Sequence, residues 1–327
     1  MDETPEIPGL RSMILPTKPD CPIKYTFTTL STSDEPPSET ILIVFVNGLG
    51  LPQVSWQPTL QLLQADLAVS PSPPSSPASS SNYAITAATY DRYGQGLSQP
   101  EHGAKPRPHD ILDAVADLSA FLNTLKSRHF PDGHHKTATR LFLTAHSLGA
   151  PLARLFAAHH PGALSALLIL DSNMANNDFV SLFPDPDLRS ARAFARSMFH
   201  PAAPNAENLD RSTLPSLLPR SDGPVLTGDD DGGKEKRRLL LRVAGHDPQT
   251  FADESLKLWP RGLTERYVQP AWDEYNEGLL SIAGGDPAAD GRKVVIAPHS
   301  GHFIQKTNPQ FVADQVLEVL KMLCGGP

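Results

Sequence analysis

Six short apolar runs, rich in β-branched residues and set far apart, constrain this chain more than any other feature. They fall at 41–46, 84–89, 141–144, 166–170, 239–243 and 294–297. Each is short for a helix and too uniformly apolar for a sheet with one wet face. Such runs read as strands buried on both sides of a parallel sheet. Residues 24–30 alternate instead, Tyr25 with Thr26 and Phe27 with Thr28, which predicts an edge strand. Helical patterns lie between the runs. Ile111, Leu112, Val115, Leu118, Phe121, Leu122 and Leu125 keep the helical period after Pro108. Leu152, Leu155 and Phe156 share one side of 148–159, and Val312, Val316, Val319, Leu320 and Leu323 mark a last helix entered through Pro309. Strands alternating with helices predict an α/β fold, a mostly parallel sheet with helices on both faces.

The 33 prolines among 327 residues argue against a bundle or helical solenoid, because proline breaks helix interiors. A Pro/Ser stretch at 70–81 and a charged stretch at 219–238 read as surface loops. Residues 172–218 are too apolar for a linker, with Phe179, Val180, Leu182, Phe183, Phe194, Met198 and Phe199. We therefore expect a core of residues 1–171 and 238–327. Residues 172–237 form a helical cap inserted after the sixth strand and carry a flexible loop. The net charge of -8 argues against nucleic acid or an anionic membrane as partner. No apolar stretch is long enough to span a bilayer, and the N-terminus lacks the pattern of a signal peptide. Two cysteines near opposite ends, Cys21 and Cys324, read as unpaired thiols, which points to a reducing, cytoplasmic setting.

The most informative string is LFLTAHSLG at 141–149. A strand runs into a small-x-Ser-x-Gly turn, and a helix follows. Such a turn lifts the Ser147 hydroxyl out of the sheet, with Ala145 and Gly149 small because strand and helix nearly touch. Three further strings keep order with it: VNGLG at 46–50, YDRYGQGLS at 90–98 and SGHFIQ at 300–305. With these motifs the chain resembles the α/β-hydrolase superfamily from about residue 25 to 323. The Pro/Ser insertions and the 272–280 segment are most similar to fungal members.

A serine hydroxyl is a poor nucleophile at neutral pH, so an imidazole must take its proton and return it to the leaving group. His302 is assigned that role, with His299 as its competitor. His146 reads as structural or pocket-lining. The acid that orients His302 is Asp247, after 239–243, or Asp171, after 166–170. The resemblance favours Asp247, although Pro248 behind it also suits a helix cap. Asp91 reads as a turn residue. The resemblance further implies an oxyanion hole made by the N–H groups of Leu148 and Leu49. Gly48 allows close approach there, and Asn47, where relatives carry histidine, can add a side-chain donor. The glycine pairs complete no nucleotide-binding pattern and the histidines no metal-ligand spacing, so no cofactor and no metal are expected. The expected activity is a serine hydrolase acting on an ester, lactone or thioester of a small, partly apolar acyl substrate. A lyase, an acyltransferase or a non-catalytic ligand-binding relative are the alternatives.

Overall fold

The computed structural model describes residues 7–31, 37, 39–69, 83–130, 138–184, 188–229 and 237–325. The expected loop at 70–81, His134, His135 and most of the acidic run at 229–231 lie outside them.

Ten strands occur in chain order among the described residues: β1 (Leu10–Leu15), β2 (Lys18–Ser31), β3 (Glu39–Val46), β4 (Tyr83–Tyr90), β5 (His109–Asp110), β6 (Ala138–His146), β7 (Ala166–Leu170), β8 (Leu209–Asp210), β9 (Leu240–Gly245) and β10 (Val294–Ile296). Eight of them form one sheet in the order β1-β2-β4-β3-β6-β7-β9-β10. From β4 to β10 every pairing is parallel, while β2 runs antiparallel to both β1 and β4. All six apolar runs are strands of this sheet. The edge expected at 24–30 is displaced, however. That segment lies inside β2, between β1 and β4; β1 is the edge on that side and β10 the edge on the other. In β1 only Met13 and Leu15 are buried, so its sequence carries no continuous apolar signature.

The uniform apolarity of the central strands has a direct cause. In β3, Leu42, Val44 and Val46 enter one core cluster and Ile41, Ile43 and Phe45 the other. Successive side chains of a strand point to opposite faces, so both faces are dry. Helices Ile111–His129 and Gly149–His159 cover the first face. Helices Gln57–Val69 and Pro309–Gly325 cover the second. Cys21 and Cys324 sit in different clusters, on opposite sides of the sheet.

The segment after β7, the sixth strand of the main sheet, contains a ten-residue helix, Arg189–Met198, and a single turn at Leu214–Leu217. The two-residue β8 ties it to β5. A second group of helices follows β9: Pro248–Glu254, a π-helical turn at Thr264–Val268, and Gln269–Leu279. Aromatic rings join the two segments, with Trp259 against Phe183, Phe194 and Phe199, and Trp272 against Phe179. No helix among the described residues is long and apolar enough to cross a membrane.

Candidate active site

Ser147 follows the last residue of β6 and precedes helix Gly149–His159. Its φ is +51°, a left-handed conformation that a non-glycine residue adopts only when its surroundings enforce it. Here the enforcement is visible. The Ser147 N–H continues the sheet ladder to the Leu170 carbonyl at 3.1 Å, and the helix begins two residues on. A Cβ on Gly149 would overlap the Val46 carbonyl oxygen, so only glycine fits at that crossing. Gly48 is equally confined. A Cβ there would stand 2.8 Å from His146 Nδ1 and 3.0 Å from the Ser147 Cβ. The loop after β3 thus presses directly on the serine.

His302 follows β10 and turns back over the sheet. Its Nε2 lies 3.0 Å from Ser147 Oγ, and its Nδ1 lies 2.6 Å from Asp171 Oδ2. Asp171 directly follows β7, also with positive φ (+43°), and its N–H bonds the Ala244 carbonyl of β9 at 2.8 Å. Its carboxylate is fully buried. Burial alone would raise its pKa. The facing imidazoles of His246 and His302 outweigh burial and hold it well below the usual carboxylate range.

These bonds put Asp171, and not the favoured Asp247, on His302. The Asp247 carboxylate accepts the N–H groups of Gln249 and Thr250 at 3.0 and 2.9 Å. It is the N-cap of Pro248–Glu254, the role that Pro248 at N1 signalled. The Thr250 N–H, above all, lowers its pKa. His299 is exposed at the turn before His302.

His246 is the residue that sequence reasoning missed. Its Nδ1 lies 2.8 Å from Asp171 Oδ1, and its Nε2 lies 2.9 Å from Gln269 Oε1. Gln269 donates its amide N–H to Asp273 at 2.8 Å, which leaves its oxygen facing the ring. A carboxylate and an amide oxygen can only accept, so both ring nitrogens of His246 donate and the ring is an imidazolium. Burial works against that charge, but Asp171 more than compensates, and the pKa is raised. His302 faces Asp171 Oδ2 with Nδ1 and Ser147 Oγ with Nε2. One carboxylate therefore meets two histidine rings, one at each oxygen. The only sequence signal for His246 was its place one residue after a buried strand.

His146 is buried beneath the site and donates from Nε2 to the His302 carbonyl at 2.8 Å. Burial, then the neighbouring His302, pushes its pKa down to about 3, so it is neutral. Asn47 does not supply an oxyanion donor from its side chain. Its two amide N–H groups go to the Tyr90 carbonyl and Gln95 Oε1, and its oxygen accepts the Trp56 indole N–H. Leu148 stands at the N-terminus of its helix, where N–H groups lack intrahelical partners. Leu49 lies between Gly48 and Gly50 in the loop facing Ser147. Asp91 is a turn residue, accepting from the N–H groups of Gln53 and Leu97. Trp272 packs on His302 with ring centroids 5.4 Å apart and closes one side of the site. No group of three or more side chains placed to hold a metal ion occurs among the described residues.

Serine, histidine and carboxylate stand at or beyond the carboxyl ends of a parallel, doubly wound sheet, where α/β proteins assemble their sites. A model of the alpha/beta hydrolase family matches residues 43–315, and the chain belongs to that family. No curated protein matches the chain. Among solved structures it is similar to a thermostable carboxyl esterase from Bacillus coagulans, with 14% identity and a TM-score of 0.51 over 97% of this chain and 98% of that one. It is similar as well to an epoxide hydrolase from Vigna radiata, with 12% identity and a TM-score of 0.51 over 97% of this chain and 99% of that one. At these identities the likeness is one of fold.

Proposed function

We propose that the protein is a cofactor-free serine hydrolase that cleaves a carboxylic ester, lactone or thioester through an acyl-enzyme. The observation that carries this is the relay of bonds from Ser147 Oγ through His302 to Asp171, 3.0 and 2.6 Å long. In this reading Ser147 Oγ attacks the acyl carbonyl carbon while His302 Nε2 takes its proton. The N–H groups of Leu148 and Leu49 receive the developing oxyanion. The imidazolium then protonates the leaving alkoxide or thiolate, and the acyl group stays on Ser147. Water attacks next, His302 serves again as base, and the carboxylic acid leaves. Asp171 holds the His302 tautomer in which Nε2 is free to accept.

The described part of residues 172–237 acts as the lid over this site, together with the helices after β9 that carry Trp272. Phe179, Trp272 and Phe251 form a packed aromatic group reaching His302. Such a wall favours a substrate with an apolar acyl or alcohol portion. The reading also rests on the family, whose fold hosts the esterase named above.

The test is fluorophosphonate labelling followed by peptide mapping, with turnover measured on esters of graded acyl length, lactones and thioesters. The expected result is a single adduct on Ser147, release of a carboxylic acid, and loss of both on Ser147→Ala. Failure of the folded protein to label at Ser147 overturns the reading. Labelling with release of a transferred or eliminated product, and no acid, supports the acyltransferase or lyase alternative instead.

A further inference from the structure

We infer that Arg92, Gln95 and Glu207 orient and strengthen the oxyanion donor at Leu49, a positioning role that rests on the hydrolase reading above. The Gly48 carbonyl accepts from Arg92 Nη2 at 3.0 Å and from Gln95 Nε2 at 2.9 Å. Arg92 Nη1 also holds the Asn47 carbonyl. On the far side of Leu49, the Gly50 N–H donates to Glu207 Oε1 at 2.7 Å. Glu207 in turn receives Arg92 through Nε at 3.1 Å and Nη2 at 2.9 Å, and Gln95 Nε2 at 2.7 Å. Both charges are buried, Arg92 at 5% exposure and Glu207 at 1%. The Gly48 carbonyl and the Gly50 N–H, one on each side of Leu49, are thus held by one side-chain cluster.

Geometry gives this cluster its consequence. The Gly48 carbonyl and the Leu49 N–H belong to one planar peptide unit and point in opposite directions. Two donors that pin the carbonyl away from the site therefore aim the N–H toward it, where Gly48 abuts Ser147. One of those donors is a guanidinium. A charged donor on the oxygen polarises the whole peptide and makes its N–H more acidic, as in any chain of hydrogen bonds. Glu207 cancels the guanidinium charge, so the oxyanion meets an oriented dipole and no net cation. An ordinary turn needs none of this. The neighbouring Asp91 already ties its loop through Gln53 and Leu97. Glu207 also comes from the segment after β7, so the proposed lid and the oxyanion loop are joined by a buried ion pair.

A transition-state test separates this role from a structural one. Arg92→Lys keeps the charge but not the fork that spans two carbonyls and a carboxylate. Gln95→Leu removes one donor from Gly48 and leaves the buried Arg92–Glu207 pair intact, so it serves if the lysine variant fails to fold. Glu207→Gln keeps an acceptor for the Gly50 N–H but leaves the buried Arg92 charge uncompensated, so it is the most disruptive of the three. Steady-state turnover is measured on the best ester, alongside inhibition by a trifluoromethyl ketone, which forms an anionic adduct on serine, and by a non-reacting amide analogue. The expected result for Arg92→Lys or Gln95→Leu is a fall in kcat of about 10- to 100-fold with KM within threefold. Trifluoromethyl ketone affinity falls by the same factor, and amide affinity is unchanged. An active wild type whose variants keep that ketone affinity, or lose only KM, overturns this inference alone. A wild type that neither labels at Ser147 nor turns over any ester overturns the hydrolase reading, and this inference with it.

Discussion

Replacing Asp171 by asparagine tests the relay at its most informative atom. The carboxylate has two faces. Oδ1 accepts from His246 Nδ1 at 2.8 Å and from the His246 backbone N–H at 3.3 Å, whereas Oδ2 accepts from His302 Nδ1 alone at 2.6 Å. Asparagine keeps one acceptor and presents N–H donors in place of the other. Turned with its nitrogen toward His246, it sets donors against two donors. Turned toward His302, it conflicts with one. Each buried donor left unmatched costs roughly 1–3 kcal/mol, so the amide oxygen stays with His246 and the nitrogen faces His302. His302 must then accept at Nδ1 and carry its proton on Nε2. It can no longer accept from Ser147. A relay locked in that tautomer loses about 10⁴-fold in kcat, on the order of 5.5 kcal/mol. Asp247→Asn makes the control, because asparagine caps a helix as well as aspartate does, and its turnover should stay within threefold of wild type. The assay is kcat at saturating ester for both variants, with circular dichroism to show that each is folded. Folded Asp171→Asn within tenfold of wild type, or an Asp247→Asn loss of similar size, would refute the reasoning.

Three further outcomes follow from the same structure. His146, with its pKa pushed down to about 3, binds its proton only in the unfolded chain between pH about 6.5 and 3, so acidification through that window lowers stability by about 1.4 kcal/mol per pH unit. His146→Gln keeps a donor for the His302 carbonyl and should flatten the slope of unfolding free energy against pH by one proton; parallel slopes would count against a neutral buried ring. His246, with a raised pKa, contributes stability that is full below its unfolded value of about 6.5 and is lost as pH rises through the folded value. NMR should show two ring N–H protons at neutral pH, and Gln269→Leu should remove the Nε2 acceptor and lower the His246 pKa. A single ring proton in the wild type would contradict the imidazolium. Gly149→Ala drives a methyl into the Val46 carbonyl and should cost about 1–3 kcal/mol in urea unfolding together with slower fluorophosphonate labelling, while Ala145→Gly should label at nearly the wild-type rate.

The sheet was legible because its central strands are dry on both faces, which makes each apolar run continuous and unmistakable. β1 was not, since one of its faces meets solvent and leaves the sequence LRSMIL without a clear period. Ser147 and His302 were legible because their chemistry demands local features, a small-residue crossing for one and a strand-to-loop exit for the other. The acid carries no such local demand. Asp171 and Asp247 each follow a buried strand, and a carboxylate that caps a helix looks in sequence like one that orients a histidine. What separates them is lateral strand order. β7 lies next to β6, so Asp171 sits one strand from Ser147, while β9 and Asp247 lie one strand further out. A ring that bonds Ser147 Oγ at one nitrogen finds the β7 carboxylate at the other. Only the assembled sheet contains that adjacency, and the same is true of His246. Its ring reaches Asp171 because β9 pairs with β7, placing Ala244 opposite Leu170 and the two following turns side by side. The Pro248 after Asp247 was the one local clue, and it pointed to the cap that the fold displays.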